Sequence, residues 1–252
     1  PILAAPEGHT SLTVTLATLG ALYRYYADLS GYADIAIGSS LIMGIALSRN
    51  FNRPFAAVSI AEFWQRWHIS LSTWLRDYLY IALGGSRRGR LRTYRNLLLT
   101  MLLGGLWHGA GWTFILWGAF HGAGLAGERL LTDRRGNVPP SRAARIWRTV
   151  FTFHFVCVGW VLFRSANLDR ALEVFASLGG SWTSAPSLNG GIIAALLVGL
   201  AMQFAPRGRL DAAWSAFGRA PVYVVAPAVL SALLVLDLLG PDGVAPFIYF
   251  QF

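Results

Sequence analysis

The sequence has no lysine, one cysteine and very little charge of either sign. Only 13% of its 252 residues are charged, about half the share of an ordinary soluble domain. The lone Cys157 excludes an internal disulfide framework. Set in the apolar run 151–163, it reads as a small buried hydrophobe. Acidic side chains are scarce, 12 against 21 cations, and every cation is arginine, which leaves a formal charge of +9. The arginines fall in short runs between apolar stretches, a pattern of membrane anchoring, so no nucleic-acid partner is expected. There is no HExxH and no histidine pair at ligand spacing, so no metal site is expected. A GxSxG nucleophile elbow is missing, and Gly104-Gly105 does not follow a strand, which removes the serine-hydrolase and nucleotide-fingerprint readings. The chain starts Pro1-Ile2-Leu3 with no basic segment, apolar core and cleavage site, so no targeting signal is read there. It reads instead as the C-terminal portion of a longer protein.

What the sequence does have is apolar surface. Hydrophobic residues make up 55% of it and the mean hydropathy is +0.48, which places it in the membrane class. Apolar stretches run over 11–23, 33–47, 96–107, 111–127, 149–163, 190–205 and 222–239. Several are shorter than the ~20 residues that cross ~30 Å of hydrocarbon. The expected architecture is therefore all-α, a polytopic integral membrane protein with short, tilted or re-entrant helices, and one membrane domain over 1–252. The stretch 55–83 mixes Trp64, Trp67, Trp74 and Tyr78 with Glu62, Arg66, Arg76 and Asp77, which predicts amphipathic interfacial helices. Arginine-rich loops lie at 87–95, 129–148 and 207–219, and the positive-inside rule places all three in the cytoplasm. Segment 96–127 must then enter the bilayer and return as a short hairpin that turns at Gly104 to Gly111.

His108 sits in that glycine-rich turn. Irregular backbone at membrane depth lines a cavity or is satisfied by protein, and an ionisable side chain there is a functional candidate. Two readings stand side by side: a general base, suited to imidazole chemistry near neutral pH, or a side chain that only hydrogen-bonds across helices. His68, among polar neighbours in Phe63 to Ser72, reads alone as interfacial, and His9, His121 and His154 read as structural. Asp28 and Asp34 flank Ser30-Gly31-Tyr32 and need a cationic partner, Arg24 or Arg53.

The ordered motifs carry a resemblance. Ser30 to Gly38, Asn50 to Phe55, Glu62-Phe63-Trp64-Gln65-Arg66-Trp67-His68-Ile69-Ser70-Leu71-Ser72, Arg76-Asp77-Tyr78-Leu79-Tyr80-Ile81, Gly105-Leu106-Trp107-His108-Gly109-Ala110, His121-Gly122 and the tail Pro246 to Phe252 together resemble the membrane-bound O-acyltransferase family. The likeness is to its bacterial branch, which acylates alginate, cellulose, peptidoglycan or teichoic acids. Gly111 and Thr113 depart from the Ser and Asn of that pattern. The resemblance implies helices around a central funnel, a multi-pass place in the bacterial inner membrane, His108 as the catalytic histidine and His68 as its companion. It further implies a cytoplasmic thioester donor such as acetyl-CoA with no bound cofactor, and a polysaccharide hydroxyl or a periplasmic partner protein as acceptor. The rival reading is a polysaccharide-export or transporter-like component with His and Asp at the bilayer midplane.

Overall fold

The computed structural model describes residues 2–135, 141–182 and 190–239; the tail motif Pro246 to Phe252 lies outside them. The described residues form helices and connecting turns, with no strand among them. They divide into two units, Pro1–Gln203 and Phe204–Phe252.

The first unit begins with α1, Ser11–Ile42, which runs through the apolar stretch expected at 11–23 and most of that at 33–47. The polar insert Arg24 to Ser30 does not interrupt it. Arg24 pairs with Asp28 one turn on, at 3.7 Å, so the charges sit on an outer face where the helix continues beneath them. Thr10 caps the start by accepting from the Thr13 N–H. Two short helices follow, α2 (Ile60–Arg66) and α3 (Ile69–Trp74), then a π-helical turn over Leu75–Tyr80. This is the amphipathic segment read from the sequence. Ser59 accepts from the Glu62 N–H at 3.0 Å while a Glu62 carboxylate oxygen accepts from the Val58 N–H at 2.7 Å. Glu128 reaches over from a later helix to accept from the Ile60 and Ala61 N–H groups at 2.6 and 3.3 Å. A carboxylate on the positive end of α2 both satisfies its orphan donors and fixes its position.

Helices α4 (Arg90–His108) and α5 (Trp112–Arg135) form the hairpin. It differs from the expectation in length and in the site of its break. At 1.5 Å per residue α4 is about 28 Å long and α5 about 36 Å, so the hairpin is not short. Gly104 and Gly105 belong to α4, and the helical pattern stops only at Gly109 to Gly111. The glycines serve contact between the helices: a Cβ on Gly105 would strike the Phe114 carbonyl oxygen, one on Gly118 the Met101 carbonyl oxygen, and one on Gly122 would lie 2.8 Å from Leu98 Cα. Small residues let two backbones approach in lipid, where little hydrophobic force drives helices together. At the arginine end, Tyr94 donates to Asp133 at 3.2 Å and closes the antiparallel pair. Asn96, fully buried in α4, donates to the Leu83 and Gly85 carbonyls at 3.1 and 3.0 Å and ties the preceding turn to the hairpin.

Helix α6, Arg142–Arg164, packs on α5, and α7, Leu168–Ser177, follows it. Helix α7 is not among the stretches read from the sequence, since its apolar residues lie on one face only. Those residues make a small core: Val174 packs with Val14 of α1 and Val161 of α6, flanked by Phe175 and Leu178. Helix α8, Gly190–Phe204, rests Gly199 on the Tyr23 ring. Among the described residues one helix, Arg142–Arg164, is long and apolar enough to cross a membrane, or two if the bent pair 212–219 and 222–235 is one span.

The second unit holds α9 (Arg207–Arg219) and α10 (Val222–Leu239), with Pro227 inside the latter. The segments 212–219 and 222–235 meet at a 116° bend. The aromatic side chain Trp214 and the apolar side chains of Val222 and Leu234 are exposed.

Candidate active site

His108 is the last residue of α4, and Gly109 follows in extended backbone, φ 163° and ψ 156°. The glycine has a steric task, because the Phe114 ring occupies the space where a Cβ would sit, 2.7 Å away. Folding the chain back over three residues brings the first turns of α5 against the imidazole. The Trp117 ring lies 5.4 Å from it at 87°, and the Phe114 ring 6.4 Å from it at 27°. From α6 the Phe163 ring meets it edge to face at 5.0 Å and 82°, and Trp107 covers another side at 5.0 Å. Edge-to-face contacts of this kind place positive ring edges on negative ring faces. Among the described residues no hydrogen bond engages the His108 ring.

His68 joins α2 to α3 with a left-handed backbone, φ 43° and ψ 58°. That conformation is costly for a residue with a Cβ and persists only where its surroundings over-determine it. The segment Asn50 to Asn52 does so: the Ile69 N–H donates to the Asn50 carbonyl at 2.8 Å, the Ser70 N–H and hydroxyl donate to the Asn50 side-chain oxygen at 2.9 and 2.8 Å, and the Asn52 N–H donates to the Arg66 carbonyl at 2.9 Å. The His68 ring packs 6.1 Å from Phe51. It lies near enough to His108 for a charge on one to be felt by the other. Trp67, next to His68, packs on Trp160, and Trp160 on Phe163, which meets His108, so a chain of ring contacts joins the two neighbourhoods.

The aromatic enclosure was not read from the sequence. Phe163 is its hub, touching His108, Phe114, Trp117, Trp160 and Tyr25. Its signal was the density of rings in 112–120 and 151–163, which reads equally well as lipid-facing surface. His121 is fully buried against Trp64, Trp117 and Phe155 at 5.2, 5.0 and 5.4 Å. It fits because α6 offers Gly159, where a Cβ would come 2.6 Å from Nε2. Asp77 lies outside this cluster. Arg76 donates to it at 2.7 and 3.1 Å and holds its carboxyl below the ordinary carboxylate range. No group of three or more His, Cys, Asp or Glu that could hold a metal occurs among the described residues.

A cavity of about 560 Å³ lies between α2, α3 and the π-helical turn on one side and the arginine end of the hairpin on the other. Leu97, Met101, Leu125 and Trp64 line it, with Arg76 and Arg129 beside them. Trp64 is also edge-on to Trp117 at 5.6 Å and 80°, so a single ring, Trp117, stands between the Trp64 wall and His108.

Residues 9–168, which include both histidines, match the model of the membrane-bound O-acyltransferase family. The chain belongs to that family. It is 57% identical over 172 residues to the Azotobacter vinelandii protein named "Probable alginate O-acetylase AlgI", an alignment covering 66% of this chain and 34% of the relative. It is 45% identical over 174 residues to the peptidoglycan O-acetyltransferase of Helicobacter pylori, covering 68% and 33%. With the teichoic acid D-alanyltransferase of Bacillus subtilis it shares 35% over 153 residues, covering 56% and 38%. The chain spans about a third of the length of the curated relatives it matches.

Proposed function

We propose that the protein containing this chain is a multi-pass enzyme of the bacterial inner membrane that moves an acetyl group from a cytoplasmic thioester, acetyl-CoA, to a hydroxyl of an extracellular polysaccharide such as alginate. The observation that carries this reading is the His108 imidazole, fenced by aromatic rings and with no hydrogen bond to it among the described residues, in a family of O-acyltransferases. A neutral imidazole so placed accepts the proton of the attacking hydroxyl as its oxygen bonds to the thioester carbonyl carbon. When the tetrahedral intermediate collapses, the C–S bond breaks and the imidazolium returns the proton to the departing thiolate. His68, held in its strained backbone beside His108, orients the donor or donates to the developing oxyanion. The relatives named for acetyl and D-alanyl transfer support a small acyl group.

The donor enters from the arginine side. The cavity at that end of the hairpin is apolar, of ligand size, flanked by Arg76 and Arg129, and separated from His108 by the Trp64 and Trp117 rings. The acceptor approaches from the other end, by way of a periplasmic partner protein or directly. The test is the full-length protein reconstituted in bilayers with acetyl-CoA labelled on its acetyl group. His108→Ala is expected to lower acetyl transfer by roughly 10²–10⁴-fold, the usual contribution of a general base. Transfer at the wild-type rate by a folded variant would remove His108 from the mechanism.

A further inference from the structure

Four aromatic rings pack around the His108 imidazole: Trp107 from α4, Phe114 and Trp117 from α5, Phe163 from α6. A general base lies about 3 Å from the hydroxyl it activates, and the carbonyl carbon under attack is one bond further. The acyl substituent therefore lies within a few ångströms of these rings. Their exposures differ. Trp107 is 61% exposed and stands on the open side, whereas Phe163 is 8% exposed and Trp117 5%. Phe163 and Phe114 meet at 5.2 Å and 77° and close the inner side together. Phe163 is held from behind by Trp160 at 5.0 Å and Tyr25 at 6.1 Å, and the edge of Phe114 fills the space beside Gly109 where a Cβ would be. Phe163 is buried and so held on two sides, and a site packed this closely does not yield to an added methylene without strain, while Phe114 is partly buried.

We propose that Phe163, backed by Phe114, sets the length of the acyl group transferred at His108 and restricts it to two or three carbons. The acceptor uses the open side at Trp107, and the acyl chain points inward to the two phenyl rings. This rests on the acyltransferase reading above and adds the residues that select the donor. Phe163 is a specificity-determining residue here and takes no part in proton transfer.

The experiment uses the full-length enzyme in bilayers with acetyl-, butanoyl- and octanoyl-CoA as donors. Wild type is expected to show kcat/KM falling at least tenfold from acetyl to butanoyl, since one or two methylenes in a shaped apolar pocket give about 10–200-fold discrimination. In Phe163→Val and in Phe114→Leu the butanoyl-to-acetyl ratio is expected to rise at least tenfold. Phe151→Val, altering an exposed ring on the same helix as Phe163, should leave the ratio unchanged. On the wild-type protein itself, inhibition by non-transferable S-alkyl-CoA thioethers is expected to weaken once the chain exceeds three carbons. A thioether series that instead tightens with chain length overturns the proposal, even where both phenylalanine variants fail to fold. So does an unchanged donor ratio in folded Phe163→Val that still transfers acetyl. A wild-type enzyme that transfers no acyl group from any donor would sink the acyltransferase reading itself, a result distinct from either of these.

Discussion

His68 shows how a single residue carries two separable demands. Its backbone sits at φ 43°, where a side chain is disfavoured, and its ring packs against Phe51. Glycine relieves the first demand and removes the second, whereas alanine removes the ring and keeps the strain. We expect His68→Gly to be more stable than His68→Ala by about 1 kcal/mol, the left-handed penalty less the extra freedom glycine gives the unfolded chain. Both variants should lose acetyl transfer alike, checked by thermal unfolding in detergent and by the labelled-donor assay. Equal stability would mean that the Asn50 clamp, and not the local conformation, sets the energy of that junction. At this scale the sequence singled out two histidines for unequal reasons. His108 stood out because glycines surround it in an apolar setting, and His68 only because its motif resembles one in the family. Phe163 and Trp117 did not stand out, since an aromatic residue in an apolar run has the same pattern whether it faces lipid or a histidine.

Among the elements, the α4–α5 hairpin is the one on which the site depends, because its return places Phe114 and Trp117 over His108. Its close approach rests on Gly105, Gly118 and Gly122, while Gly127, further along α5, has open space where its Cβ would be. Gly118→Ala is expected to cost about 2–3 kcal/mol as the Met101 carbonyl is forced away. Gly127→Ala should be neutral or stabilising by roughly 0.5–1 kcal/mol, since alanine restricts the unfolded chain and suits a helix. Unfolding of the reconstituted protein distinguishes the two, and similar effects from both would refute the close-packed seam. The sequence showed that the hairpin exists but misplaced its break. Glycine is ambiguous in one dimension, able to end a helix or to let another lie against it. Gly104 and Gly105 read as the former, and Gly105 proves to be the latter. Helices α7 and α9 were missed for a related reason: a helix apolar on one face only, or broken by arginine and glycine, leaves no continuous run to notice.

For the whole molecule, charge and hydropathy govern placement. The arginine ends of α4, α5 and α6 belong to one side, and Tyr94 bonded to Asp133 brings two of them together. In a Cys157→Ser background, Ser86→Cys and Ala143→Cys, both at exposed positions, are expected to react with an impermeant maleimide only when the cytoplasmic face is opened. Labelling of the two from opposite faces would contradict a hairpin that returns to its own side. The sequence by itself determined the membrane class, the all-helical character and the family likeness. Composition, periodicity and motif order are properties of one dimension, and one dimension is enough for them. Only the tertiary structure decided that α1 is continuous, that the glycines form a seam and that ring contacts through Trp67, Trp160 and Phe163 join the surroundings of His68 and His108. It also decided that four rings from three helices enclose the imidazole. Each of these is a contact between residues far apart in the chain, set by which helix faces which, and no local pattern records that.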